Sequence, residues 1–384
     1  MTIRDNHEVQ EAGAISTKNL DIVFLESVLS QLVTKTDPLT SSEIEICLQK
    51  AIRAFIRSTA QDLEEFERFL EEEMFRRQSL PKARYTLYSR CYFTLKPQQK
   101  IRVRVGAYEG YFADGLSSLV DITEPLDARL SDQCFGPAAG AVFVSTVFAR
   151  SEDAALDVAN YQVDVLFGAM SYALHLGRKA ILSEVNRPLA IAFPGSEIGL
   201  IGCNGRLCEG RLVFVATPSQ IFHTDKDIPS RWDIVQQKIL SGHPSKIGYY
   251  AEFFALYFQC LADPDSSNRF VKLWRVVEHL CHGAKEDDVV GIISAPFRDA
   301  DLVRLSFYAL QARRNRIVHS SPYGHHVEQA FEVARDLVER FVIRSASPQF
   351  PELEDWKSFL KVASGPIDGK RLKAFAELMI ERDG

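Results

Sequence analysis

The sequence predicts an α+β protein: a mixed α/β part over residues 40–228 is followed by an all-α helical bundle over residues 229–384, with a polar segment and one short helix over residues 1–39 leading in. Three observations predict it. Apolar residues recur at helical spacing from Ile44 to Phe69, and from Arg84 the pattern changes to alternating β-branched and aromatic residues. After Thr217 the strand patterns stop and helical spacing holds to the end. A chain of 384 residues, 46% of them hydrophobic, is long enough to bury two such cores.

The elements follow in order. The first 20 or so residues are polar and irregular, and Leu20 to Val33 carries a short helical pattern. Thr40-Ser41-Ser42-Glu43 has the form of a capping box, in which hydroxyl and carboxylate satisfy each other's backbone amides. A helix starting there places Ile44, Cys47, Ala51 and Phe55 on one face. After a break near Ser58 a second helix runs to about Arg77, its glutamates forming a solvated face. Tyr85–Tyr88, Cys91–Leu95, Ile101–Val105 and Ala141–Phe148 read as strands, with a turn at Pro97-Gln98-Gln99. Ser151 to Leu176 is one long helix opened by acidic residues that suit its positive end, with Leu156, Ala159, Val163, Leu166 and Met170 facing a core. Between Ala180 and Thr217 short strands return, and Cys203-Asn204-Gly205-Arg206 signals a hairpin. Helices are then expected at Pro229–Leu240, Ile247–Leu261, Ser266–Cys281, Phe297–Val318 and His325–Arg344, with two short ones after Pro351 and Asp368. Asp263-Pro264-Asp265-Ser266 makes a tight antiparallel connection.

Composition narrows the function. With 45 basic against 51 acidic residues the formal charge is -6, so no global positive field draws nucleic acid, and any RNA contact has to be local. Seven scattered cysteines lack the paired spacing of a zinc site and suit a reducing cytoplasm. Met1 to Asn19 has no signal-peptide pattern, and the longest apolar run, Gly248 to Leu261, is interrupted by Glu252 and Gln259 and is too short for a bilayer. No membrane is expected. Gly199, Gly202 and Gly205 are spaced by three with no helix directly behind them, which makes them turn residues and not a phosphate loop. Cys203 and Cys208 lack a second pair, and His279, Cys281 and His282 diverge on a helix, so neither set predicts a metal, and no cofactor is expected.

One segment carries chemistry. The helix from Phe297, with core positions expected at Leu302, Leu305, Tyr308 and Leu310, ends in Arg313, Arg314, Asn315 and Arg316, and His319 follows where Ser320, Ser321, Pro322 and Gly324 break the helix. Cations at a helix C-terminus are common because they face the negative end of its dipole. A histidine beside them adds a group that titrates near neutral pH. RNA transesterification needs a base for the 2′-hydroxyl, an acid for the leaving 5′-oxygen and positive charge on the phosphorane. One imidazole cannot serve both faces of an in-line displacement, so a second copy across a symmetric dimer is expected. Glu278, on the preceding helix, could orient Arg314 or His319. His325 and His326 read as surface residues, and His223 and His243 sit in loops without catalytic spacing.

Arg314-Asn315-Arg316-Ile317-Val318-His319 resembles the Arg-x4-6-His motif of the HEPN superfamily in its Arg-Asn-x-x-x-His form. Tyr250–Tyr257 and Arg269–Leu280 are similar to helices preceding that motif in ApeA-like anti-phage HEPN proteins, and the resemblance covers roughly residues 229–345. It implies a helical bundle that dimerises around two motifs and a metal-independent endoribonuclease of antiviral defence. Carried onto this sequence, it makes Arg314, Asn315 and His319 catalytic; Arg313 and Arg316, which the motif does not fix, and Glu278 of the preceding helix are expected at the substrate. The expected partners are RNA, a second copy of the chain, and a phage-derived trigger or a partner defence protein. The mixed α/β part carries no motif recognised as a family's and is expected to sense or restrain. The alternative is a non-catalytic HEPN module that dimerises or binds RNA or a partner in a larger assembly.

Overall fold

A computed structural model describes residues 7–9, 15–17, 39–58, 63–115, 118, 140–176, 194–202, 208, 212–213, 228–282, 284, 286–319 and 327–364, and it is α+β. Leu20–Val33, the Cys203–Arg206 hairpin and the helix after Asp368 lie outside the described residues. Within the first 20 residues, expected to be irregular, strands β1 (His7–Val9) and β2 (Ile15–Thr17) pair antiparallel. Strands β3 (Ala83–Cys91), β4 (Lys100–Val105), β5 (Tyr108–Ala113), β6 (Val142–Ala149), β7 (Pro194–Gly202) and β8 (Leu212–Val213) form one sheet in the order β4-β5-β6-β3-β7-β8.

The chain divides into two compact units, one of Met1–Thr86, Thr146–Asn160 and Leu200–Arg211, the other of Leu87–Ser145, Tyr161–Gly199 and Leu212–Gly384. In the first, helix α1 (Ser41–Arg57) begins with the expected box: Thr40 accepts from the Glu43 amide while Glu43 accepts from the Thr40 amide (3.0 Å). Glu43 is buried, and a cap alone would not hold a carboxylate there. Arg77 at 3.3 Å and Arg150 at 3.6 Å supply the compensating charge. Arg77 closes helix α2 (Leu63–Gln78), whose Phe66, Leu70 and Met74 pack on Ile44, Cys47 and Leu48.

In the second unit, β4 and β5 form a hairpin whose two-residue turn opens on Gly106, held at φ +61°, where a side chain would be strained. Helix α3 (Glu152–His175) is buried on every side from Gln162 to Leu174 because it is covered on two sides. One side meets the sheet, with Phe167 against Phe112 and Phe143 at 5.0 and 4.9 Å between ring centroids. The other meets helix α5 (Pro244–Leu261), where a Cβ on Gly168 would stand 2.0 Å from the Phe254 carbonyl oxygen, so the approach requires glycine.

Helix α4 (Ile228–Val235) runs on through a π-helical turn, Gln236–Leu240, and α5 is followed by α6 (Ser266–Leu280), α7 (Glu286–Ser294), α8 (Ala300–His319), α9 (Val327–Ser345) and α10 (Leu353–Ala363). α6 packs on both α5 and α9, and α8 touches α6, α7 and α9. A buried polar cluster joins the bundle to α3. Arg335 donates to Glu339 (2.9 Å) and Glu332, and Tyr257 donates to the same Glu339 carboxylate (2.6 Å). Arg335 also reaches His175 Nδ1 at 2.9 Å, and since a guanidinium only donates, that nitrogen is the acceptor and Nε2 carries the proton. Lys246, buried at the start of α5, donates to the carbonyls of Ser345 (2.6 Å) and Phe350, which caps the negative end of α9.

Asp164 of α3 is buried, and its Oδ2 accepts from Gln259 of α5 at 2.6 Å. Burial pushes its carboxyl from the ordinary 3.8 up to about 7, against the smaller downward pulls of Gln259 and the Lys272 charge. The folded state therefore holds a proton that the unfolded chain releases, and stability falls as pH rises from about 4 to about 7, the penalty staying full above that. Asp164→Asn keeps the acceptor and removes the charge. Its stability advantage over the parent is expected to widen by about 2–3 kcal/mol between pH 5 and pH 8, read from urea unfolding. An equal advantage at both pH values would contradict the burial of this charge.

Candidate functional site

The site is built at the C-terminal end of α8. Leucine, alanine, glutamine and arginine favour this helix, Asp301 suits its positive end, and the arginines gather at its negative end. Of the four core positions expected from the sequence, Leu310 is buried, together with Phe307. Leu302, Leu305 and Tyr308 are not: they are 65%, 67% and 51% exposed. Helical spacing describes two apolar faces on α8 equally well, and the bundle covers the one bearing Phe307 and Leu310.

That choice orients the motif. Positions 307, 310 and 314 are separated by three and four residues and share the covered face, so Arg314 is half-buried and its Nε is shielded from solvent. Its Nη1 donates to Asn315 Oδ1 at 2.9 Å, which assigns Asn315 a holding role for the guanidinium. Arg313 is half-buried beside it. Arg316 and His319 belong to the helical backbone, and their side chains lie outside the described residues, as do His325 and His326. Positions 302, 305, 309 and 312, all exposed, alternate in steps of three and four, and the same steps lead on to positions 316 and 319. Ala309 and Ala312 are exposed beside the two leucines. Helical spacing alone assigns the leucines of this stripe to the core; the alternating step that ends on position 319 is the signal that marks it.

Glu278 is half-buried on α6, one of the helices in contact with α8. Its neighbour His279 is engaged elsewhere: Nε2 donates to the Tyr249 carbonyl (3.0 Å), the ring stacks on Tyr249, and Nδ1 stands 3.7 Å from Glu252. His282 adopts a left-handed φ of 56° just past the helix and folds back onto the same tyrosine, ring centroids 4.9 Å apart. Burial, with the nearby Lys357 charge, pushes its pKa down to about 4. The two histidines expected to diverge therefore converge on one ring, while Cys281 turns into the core. Among the described residues no three histidine, cysteine, aspartate or glutamate side chains are grouped as a metal site would need, and no helix is long and apolar enough to cross a membrane. Cys208 is buried with its thiol pushed up to about 11 by burial, and Cys203 lies outside the described residues. His243 caps α5 by accepting from the Ser245 amide.

Comparison with protein-family models, with curated proteins and with solved structures finds no match to this chain.

Proposed function

We propose that this chain is a HEPN-type, metal-independent endoribonuclease that works as a homodimer, an antiviral effector regulated by its N-terminal α/β part. The observation that supports it most is the uncovered stripe of α8. Leu302, Leu305, Ala309 and Ala312 form an apolar strip with small residues in its middle, suited to close approach of a second helix, and it leads to positions 316 and 319. A two-fold axis along it brings two His319 positions together around one phosphate.

In that dimer one His319 takes the proton from the 2′-hydroxyl, the 2′-oxygen attacks phosphorus, and the other His319 gives a proton to the departing 5′-oxygen. The paired Arg314 guanidiniums, each held by Asn315, neutralise the phosphorane oxygens. Arg313 and Arg316 grip the RNA backbone, and Glu278 supplies a carboxylate from α6 to orient Arg314 or His319. A phage-derived trigger or a partner defence protein would act through residues 40–228.

The half-burial of Arg314 favours one second reading, in which the motif is a structural helix end within a HEPN module that dimerises or binds RNA without cutting it. Expression in a bacterial host separates the two. The nuclease arrests growth and degrades cellular RNA, and His319→Ala relieves both. Equal growth with parent and variant favours the non-catalytic module.

A further inference from the structure

Asp164 is a buried acid that the motif does not use, and its ionisation lowers stability. Asparagine would keep the bond from Gln259 without that penalty, so packing gives no reason for a carboxyl at this place. Its surroundings, all within the second unit, supply one. Tyr161 and Asp164 are three residues apart and share a face of α3, and Glu252, Leu256 and Gln259 share a face of α5. The bond of 2.6 Å from Gln259 to Asp164 brings the two faces together. Two residues of α6 border the same strip: His279 Nδ1 stands 3.7 Å from Glu252, and the Lys272 charge acts on Asp164.

The strip is open to a ligand. Glu252 is 60% exposed and Tyr161 37%, and half-buried Leu256 lies between Glu252 and Gln259 as an apolar floor. Tyr108 of β5 meets the Tyr161 ring edge to face, centroids 5.4 Å apart, and so steadies it. Burial, then Tyr108, Glu252 and Asp164, push the Tyr161 hydroxyl up to about 12, which sets both carboxyls within electrostatic reach of it. Among the described residues Gln259 is the one side-chain partner of Asp164, and His279 the one partner of Glu252. Lys272 gives neither a direct pair, being held by Asp263 at 2.6 Å.

We propose that the strip of α5 between Glu252 and Asp164 binds a linear aliphatic polyamine, with one ammonium at Glu252, another at Asp164 and the methylene chain over Leu256. Positions 252 and 259, which set the two acids, are separated by two helical turns, about 10 Å, the span of an extended spermidine. The Tyr161 ring, one turn from Asp164, offers that ammonium an aromatic face. The proton of Asp164 passes to solvent as the ammonium arrives, and an ammonium N–H donates to Oδ1, the oxygen that Gln259 does not hold. The ion pair with Asp263 neutralises Lys272, so its charge does not bar a second cation. A metal ion is the poorer fit, since among the described residues no three ligating side chains are grouped here. The site uses no residue of the α8 motif and does not depend on the ribonuclease reading.

The test is titration calorimetry of the full chain with spermidine at about pH 6 and about pH 7.5, on either side of the Asp164 midpoint. One-to-one binding is expected, tighter by about fivefold to tenfold at the higher pH because the carboxylate is then already formed. At the lower pH most of one proton is expected to be released, read from the difference in heat between buffers of unlike ionisation enthalpy. Glu252→Gln is expected to weaken binding at least about tenfold and to keep the proton release, whereas Asp164→Asn weakens it about tenfold at the higher pH and abolishes the release. Thermal melting checks that both variants fold. Butylammonium, which has a single cationic end, is expected to bind at least about tenfold more weakly than spermidine. Absence of binding by the parent would overturn the site, as would unchanged affinity and proton release in folded Asp164→Asn. Equal affinity for butylammonium would overturn the two-ended placement, and tighter binding of tetralysine than of spermidine would overturn the assignment to a free amine in favour of a basic peptide.

Discussion

Chains carrying His319→Ala are expected to cut RNA about a thousandfold more slowly than the parent, and to fold as stably. Loss of one general acid or base costs about 10²–10⁴ in rate, and in a symmetric dimer the substitution removes the acid and the base together. Arg314→Ala is expected to cost about 10²–10³ through lost charge on the phosphorane. Because Arg314 is half-buried and bonded to Asn315, its alanine variant also perturbs the helix end, so Arg314→Lys is the sharper probe. Lysine keeps the charge and gives up the planar fork, and a large loss of cleavage with unchanged melting is expected. Single-turnover cleavage beside thermal melting reads both quantities. Cutting at the parental rate by the His319 variant would remove the basis of the mechanism.

The second large effect is expected at Leu305. Being 67% exposed in the single chain, its replacement by glutamate shifts the stability of the protomer by no more than about 0.5 kcal/mol. Across a two-fold axis the same change removes two buried leucines, each contributing about 1.5–3 kcal/mol, and sets two carboxylates facing each other. Dimer affinity is expected to fall at least about a hundredfold, and RNA cutting with it. Sedimentation at micromolar concentration gives the first and a cleavage assay the second. A Leu305→Glu chain that stays dimeric and cuts normally would show that the stripe on α8 is not the seam.

Much of this architecture was legible because it is local. The box at Thr40 and Glu43 needs four residues, and the helix from Glu152 announces itself by an acidic start and a long run of apolar spacing. What escaped depends on partners distant in sequence. β5, Tyr-Glu-Gly-Tyr-Phe-Ala, does not alternate as a strand should because Gly110 stands where the Phe143 ring passes, 2.4 Å from where its Cβ would lie. α7 is a short apolar run with Gly291 inside it, where the Ser364 carbonyl approaches, and nothing local distinguishes it from a loop.

The candidate site divides in the same way. The Arg-Asn-Arg-Ile-Val-His segment and its helix end could be read directly, and α8 does run to His319. The inward turn of Arg314 and the exposure of Leu302 and Leu305 could not, since the helical period relates residues of α8 to one another but not to the bundle.

The most direct test is to incubate the purified chain with end-labelled single-stranded RNA in EDTA, alone and with phage lysate as a source of trigger, and to identify the product ends. Transesterification by paired His319 residues predicts 2′,3′-cyclic phosphate and 5′-hydroxyl ends, formed without metal and lost in His319→Ala. Intact RNA under both conditions, or products formed equally by the His319→Ala chain, would contradict it.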